Sequence, residues 1–170
     1  MSLLRRIQRM VKRVTVHILV NRLLTGVKHF EIKRRLLNSI GYEIGENTKI
    51  VGPIECYAKL RIGKNCWIGK NLIVNGNGTL CIGDNCDIAP EVTFLTGGHK
   101  IGNASRRAGM GESYTISVGN GVWIGARSTI LNNTVIGDGV MIAACACVTC
   151  NVENNLMVGG VPACVIRSLE

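Results

Sequence analysis

The sequence predicts an all-β solenoid: a parallel β-helix of hexapeptide repeats, with a short helical segment ahead of it and one protruding loop. Three observations carry this. First, an aliphatic residue, usually followed by Gly or another small residue, returns at every sixth position. One run is Ile44, Ile50, Ile62, Ile68 and Val74, another Ile82, Ile88 and Phe94, and a third runs from Val118 through Ile124, Ile130, Ile136 and Ile142 to Val148. Second, the fifth position of each hexad is small or medium, as at Thr48, Cys66, Cys86, Val92, Val122, Ser128, Thr134, Val140, Ala146 and Val152. A narrow prism needs a small side chain beside a large one to fill without strain. Third, corner chemistry sits between, as in Gly83-Asp84-Asn85 and Gly137-Asp138-Gly139, where Gly and Asn accept positive φ. A β-sandwich would show alternation with turns every 8–12 residues or so, which fits worse.

Along the chain, residues 1–41 form a basic helical segment. Leu3, Ile7, Met10, Val11 and Val14 fall at helical spacing, with Arg5, Arg6, Arg9, Lys12 and Arg13 on the other face. Gly26 can stop this helix, and the β-branched stretch from Val14 to Ile18 argues against its running far. A second helix is expected from Lys28 to Ser39, with Leu36, Leu37 and Ile40 apolar and Gly41 at its C-cap. The solenoid then spans 42–158. Its beat slips by two residues in Asn75-Gly76-Asn77-Gly78, so a corner must bulge there. Between His99 and Thr115 the beat disappears, so residues 97–115 must leave the prism as a loop, and such loops are commonly functional. Residues 159–170 form a closing tail.

Composition narrows the function. At 170 residues one compact unit is expected, and 46% apolar with only 4% aromatic suits a core of stacked Ile, Val and Leu. The net charge of +9 is uneven: residues 1–40 hold ten cations against Glu31 alone, while the solenoid is balanced. Nucleic acid is not expected as a partner, because the aromatic stacking platforms of single-strand binders are missing. The basic segment suits either of two roles: a cap over the open end of the solenoid, or peripheral contact of residues 1–40 with an anionic membrane. No apolar run approaches the roughly 18–20 residues of a span, and no signal peptide is read. A cytoplasmic protein, peripheral to the inner membrane if the basic segment binds lipid, is therefore expected. The eight cysteines are spread through the repeats and read as reduced thiols. Cys145, Cys147 and Cys150 have no histidine nearby, so no metal site is expected.

Several motifs together resemble the hexapeptide-repeat O-acetyltransferases, the galactoside, maltose and polysaccharide-modifying enzymes. They are Ile82-Gly83-Asp84-Asn85, Ile88-Ala89-Pro90, Thr96-Gly97-Gly98-His99, Trp123-Ile124-Gly125-Ala126 and the close Gly159-Gly160-Val161-Pro162-Ala163 followed by Val165-Ile166-Arg167. The resemblance covers about residues 42–170. It implies a left-handed helix, a homotrimer with active sites between subunits, and acetyl-CoA as co-substrate. The general crossover rule favours the right hand, so left-handedness follows from the resemblance alone.

Acyl transfer from a thioester to a hydroxyl needs that hydroxyl deprotonated as it attacks, and a neutral imidazole does this near physiological pH. His99 is the only histidine of the solenoid and stands where the loop departs; the resemblance makes it the general base. By the same resemblance Asn71 and Arg106 contact the acceptor. Trp123, Gly125, Ala126, Ala144, Thr149 and Arg167 line the coenzyme groove, and the Ala126 N–H faces the oxyanion. Asn71 reads equally well as a turn residue, and Arg106 as a solvated one. The family pattern has cations where this chain has Cys150 and Cys164. The expected function is acetyl transfer to a hydroxyl of a sugar or polysaccharide precursor. Two alternatives remain: a serine acetyltransferase-like enzyme, the closest rival among enzymes although the extended helical N-terminal domain associated with it is not read here, and a non-catalytic trimeric β-helix scaffold. A carbonic-anhydrase-like enzyme needs three histidine ligands, and the solenoid has one.

Overall fold

The computed structural model describes residues 3–170. Three parallel sheets run the length of a prism, each formed by one side of every coil. Sheet I contains the strands from Glu43–Ile44 to Val135–Ile136. Sheet II runs from Lys49–Ile50 to Leu156–Gly160, and sheet III from Ile54–Cys56 to Cys147–Val148. Strand partners in the first coils stand 18 residues apart, as in Lys49↔Trp67 and Ile54↔Leu72, which is three hexads per turn. Across Asn75–Gly78 the offset becomes 20, as in Lys59↔Thr79 and Trp67↔Asp87, so the two-residue slip is absorbed at one corner. Thr79–Ile82 then pairs with Thr115–Val118, 36 residues on, so residues 97–113 leave the winding and the coil closes as though they were absent.

The hexad reading accounts for the core. The beat residues from Ile44 to Val148 are buried, and so are all ten fifth-position residues. The polar members of the second set do more than fill space. Thr48 Oγ1 donates to the Gly63 carbonyl at 2.7 Å, Cys66 Sγ to that of Gly83 at 3.2 Å, Cys86 Sγ to that of Gly119 at 3.1 Å, and Ser128 Oγ to that of Ala143 at 2.9 Å. These four side chains are thereby satisfied by the neighbouring coil, while the Thr134 hydroxyl donates to the Leu131 carbonyl of its own coil. At the corner facing solvent, Asn47, Asn65 and Asn85 all take positive φ, and their side-chain amides bond one to the next at 3.3 and 3.2 Å.

The N-terminal segment is α1, Leu3–Ile18, a π-helical turn Leu19–Leu23, and α2, Phe30–Asn38. Helix α1 runs through the β-branched stretch because Val16, and then Val20 in the π turn, are buried against the first coil; packing outweighs propensity here. Gly26 and Gly41 take φ of +96° and +101° and close the two helices. Leu37 is fully buried, with Leu36 and Ile40 packed beside it, so α2 and the end of α1 cap the solenoid. Lys33 on α2 is fully buried as well. Its Nζ donates to the carbonyls of Gly26 at 2.7 Å and Val51 at 3.2 Å and lies 4.7 Å from the centre of the Phe30 ring. Burial lowers its pKa.

Residues Gly97–Ile101 and Ala108–Ser113, expected only as a loop, pair antiparallel as a hairpin that joins none of the three sheets. The chain ends on a second antiparallel hairpin, Leu156–Gly160 with Ala163–Ser168, which finishes sheet II.

Candidate active site

The candidate site is built at two corners of the prism. The corner between sheets III and I carries the hairpin. Its base is tight. A side chain on Gly76 would strike the Thr96–Gly97 backbone, and one on Gly78 would strike the Tyr114 carbonyl. Ser113 Oγ donates to Asn77 Oδ1 at 2.7 Å, so the bulge of one coil braces the hairpin of the next. The Tyr114 ring packs where Gly98 has no Cβ, and its hydroxyl donates to Glu112 Oε2 at 3.3 Å. Glu112 also meets Lys100 Nζ at 3.7 Å.

His99 lies on this hairpin opposite Gly111 and is exposed. Its Nδ1 stands 2.9 Å from the Gly109 carbonyl. A carbonyl can only accept, so Nδ1 carries the hydrogen and Nε2 is left as the free basic nitrogen. The orienting partner is a backbone atom, chosen by the hairpin register and its irregularity after His99. Sequence reasoning missed Gly109 for that reason. The run Gly109-x-Gly111 opposite Gly97-Gly98 was the available signal. Arg106 is exposed in the hairpin's connecting turn, where Asn103 Oδ1 accepts from the backbone of Ser105 and Arg106, both at 3.2 Å.

The corner between sheets II and III carries most of the remaining residues. Trp123 sits on sheet II with its indole about half exposed, at 53%. Ala126 and Ala144 follow at the corner, stacked on successive coils; Ala126 is half-buried and Ala144 exposed. Among the described residues the Ala126 N–H finds no acceptor, while its carbonyl accepts from Cys145 N at 2.9 Å. Gly125 has a sufficient reason in the packing alone: a Cβ there would lie 2.5 Å from Ala144 N. Asn71 takes φ of +59° at the same corner. Glu91, Arg127 and Cys145 stand at the equivalent point of later coils with φ of +63°, +61° and +62°. The turn therefore does not demand asparagine, and the Asn71 amide is available for another purpose. Arg127 is tied to Glu91 at 2.7 Å.

Thr149 and Cys150 are exposed just past sheet III, at the corner that carries the hairpin one coil pair earlier. Arg167 is exposed on the last strand opposite Met157, and Cys164, three residues earlier on that strand, is exposed opposite Gly159. Ile166 and Ala143 both lie against Gly159, which brings the closing hairpin to the Ala144 corner. One chain thus gathers Trp123, Gly125, Ala126, Ala144 and the closing hairpin into one surface, with Asn71 lower on the same corner. It sets His99 and Arg106 on a different corner. Among the described residues no three His, Cys, Asp or Glu side chains converge to hold a metal ion.

A prism of hexapeptide coils interrupted by one histidine-bearing hairpin defines a class of protein, the hexapeptide-repeat transferases. Residues 115–150 match the family model described as bacterial transferase hexapeptide, six repeats. The galactoside O-acetyltransferase of Escherichia coli K12 is 34% identical over 144 residues, which are 82% of this chain and 71% of that one. A solved galactoside acetyltransferase in complex with coenzyme A superposes with a TM-score of 0.80 at 28% identity, over all of this chain and 84% of that one. The maltose O-acetyltransferase of Clostridium difficile 630 superposes with a TM-score of 0.67 at 26% identity, over 99% and 90%. This chain belongs to the hexapeptide-repeat acetyltransferases, and its fold is their left-handed parallel β-helix.

Proposed function

We propose that this protein transfers acetyl from acetyl-CoA to a hydroxyl of a sugar or saccharide precursor, with His99 as general base, in a homotrimer whose sites lie between subunits. The observation that carries the reading is the Nδ1 contact of His99 with the Gly109 carbonyl, which leaves Nε2 free to accept a proton. Acetyl-CoA supplies the thioester as co-substrate. His99 Nε2 takes the proton of the acceptor hydroxyl as that oxygen bonds to the acetyl carbon. The Ala126 N–H donates to the carbonyl oxygen as negative charge gathers there. The protonated His99 then returns its proton to the departing thiolate sulfur, and the acetyl ester is left on the acceptor.

The half-exposed Trp123 beside the small corner residues Ala126 and Ala144 suits an apolar arm laid along the coils. Arg167, exposed on the closing hairpin, is assigned to the coenzyme's phosphates from the family resemblance. The two-corner layout supports a site completed by a second copy. One face of the prism, five or six residues, separates the Ala126 corner from the hairpin corner, roughly 15–20 Å at about 3.3 Å per residue. A neighbouring protomer packed along sheet III would bring its own hairpin to the Trp123 groove. Asn71 and Arg106 are assigned to the acceptor from the family resemblance.

The test is His99→Ala, assayed by release of coenzyme A thiol from acetyl-CoA with galactosides and maltose as acceptors. The rate should fall by roughly 10²–10⁴, with the oligomeric mass unchanged. Activity within a few-fold of the parent would remove His99 from the mechanism.

A further inference from the structure

Helix α1 is amphipathic, yet it docks on the solenoid by the wrong face for a simple cap. At about 100° per residue, Leu3, Ile7, Met10, Val11, Val14 and Ile18 make one apolar stripe roughly 100° wide. All six are exposed, from 45% at Ile7 to 74% at Leu3. The one buried side chain of the helix, Val16, lies on the opposite, basic face. Arg13 is tied down there too, with its guanidinium 3.4 Å from the Tyr42 hydroxyl and 5.6 Å from the centre of that ring. The solenoid therefore holds α1 by its polar side and turns its apolar stripe outward.

An apolar cavity of about 490 Å³ continues the stripe. Met10, Val14 and Ile18 line one wall and Ile54 and Tyr57 the other, with Arg13, Arg22 and one acidic residue, Glu55, also in the lining. The Tyr57 ring is 67% exposed at its mouth. Arg5, Arg6, Arg9 and Lys12 are exposed along the same helix. No acidic residue precedes Glu31, and Glu31 is already held by Arg34 and Arg35, both at 2.8 Å. Those two guanidinium groups hold its carboxyl down at a pKa of about 2. Nothing on this helix neutralises its cations, so an anionic surface that takes up the stripe also gains their attraction, which a second copy carrying the same charge does not supply. Whatever covers the stripe must offer apolar depth and spread-out negative charge.

We infer that α1 lies flat on an anionic lipid surface, with its apolar stripe and Tyr57 in the interface and its cations among the headgroups. The helix is about 24 Å long at ~1.5 Å per residue, and no helix among the described residues is long and apolar enough to cross a membrane. The contact is therefore peripheral. It would hold the first coil against the bilayer. This inference is independent of the chemistry proposed for His99, but it requires that a neighbouring protomer packed along sheet III leave the first strand of that sheet, Ile54–Cys56, and Tyr57 uncovered.

The experiment is sedimentation of the full chain with phosphatidylcholine vesicles, with and without phosphatidylglycerol. The chain should bind the anionic vesicles and release with salt. Each cation is worth roughly a fivefold gain in partitioning. The variant carrying Arg5→Gln, Arg6→Gln, Arg9→Gln and Lys12→Gln should lose roughly two to three orders of magnitude by the same scale. Ile7→Ser with Met10→Ser should also lose binding, while both variants keep the parent's denaturation midpoint because the changed side chains are exposed. Equal partitioning onto neutral and anionic vesicles, or none, overturns the inference. So does an Ile7→Ser, Met10→Ser variant that changes oligomeric mass but not vesicle binding, since the stripe would then belong to a second copy.

Discussion

Replacing Gly125 by alanine separates coil packing from coenzyme binding at one position. The residue has no positive φ, so its backbone suits alanine. Space does not. The new Cβ would stand 2.5 Å from Ala144 N and 2.8 Å from Ala143 C, against an ordinary contact of roughly 3.5 Å. Both obstacles are backbone, so the coils must part. Two hydrogen bonds cross the gap, Gly125 N–H to the Ile142 carbonyl at 2.7 Å and Cys145 N–H to the Ala126 carbonyl at 2.9 Å. Weakening both costs about 1 kcal/mol each, and the overpacking itself about 1–3 kcal/mol. Stiffening of the unfolded chain returns about 0.4–1 kcal/mol. The net loss is about 2–5 kcal/mol. Gly121→Ala is the matched control. It has φ of +64° and nothing within 4 Å, so it carries only the left-handed strain, about 1–2 kcal/mol before the same unfolded-state return. Urea denaturation at one fixed protein concentration should place Gly125→Ala roughly 1–2 M below the parent, taking a slope of about 2–3 kcal/mol/M, and Gly121→Ala closer to it. If Gly125→Ala matched the parent in stability and lost only acetyl-CoA affinity, the packing argument would be wrong and the glycine would belong to the coenzyme.

Two other substitutions test the ends of the molecule. Lys33→Met keeps the buried stem but strands the Gly26 carbonyl and takes one of two donors from the Val51 carbonyl, which keeps the Gly26 N–H at 2.9 Å, so it should destabilise by about 1–3 kcal/mol in the same denaturation assay; a stable variant would show that Nζ is dispensable there. Cys150→Lys together with Cys164→Arg adds two exposed cations near Thr149 and Arg167, and should tighten acetyl-CoA binding by up to roughly fivefold per residue in low salt, with the gain vanishing at high salt. Unchanged affinity in low salt would show that these positions do not face the nucleotide.

The hexads were readable because each inward residue reports on one local requirement, volume at a fixed point of a narrow prism. Ile124 and Val122 need no knowledge of the rest of the chain to be placed. The two-residue slip at Asn75–Gly78 was equally plain, since a broken period is as visible as a kept one. Lys33 was not readable. On its helix it has the look of a solvated cation, and only the return of Gly26 and Val51 to one point makes it a buried donor. The stripe of α1 was visible, but which face met the body was not. That depends on Val16 and Arg13 finding Tyr42 and the first coil, and a helical wheel holds no such contact. The same limit hid Gly109. His99 could be singled out by being alone, whereas its orienting carbonyl is fixed by pairing across a hairpin that carries no aliphatic beat.

The two departures from the hexad period fall at one corner, in consecutive coils, and that coincidence has a physical reason. A stacked coil offers its neighbours only short strands and tight turns, with almost no freedom to move a side chain relative to the axis. Chemistry that needs a basic nitrogen standing off the wall requires extra chain, and extra chain must leave at a corner where the ladder is already interrupted. The hairpin does this for His99. An 18-residue coil beneath it would give the exit no bracing, and the two added residues supply it. Gly76 and Gly78 pass the hairpin's base without a side chain, and Asn77 reaches Ser113. The bulge is therefore a support for the hairpin, and the position of His99 depends on residues that a reading confined to residues 97–115 would leave out.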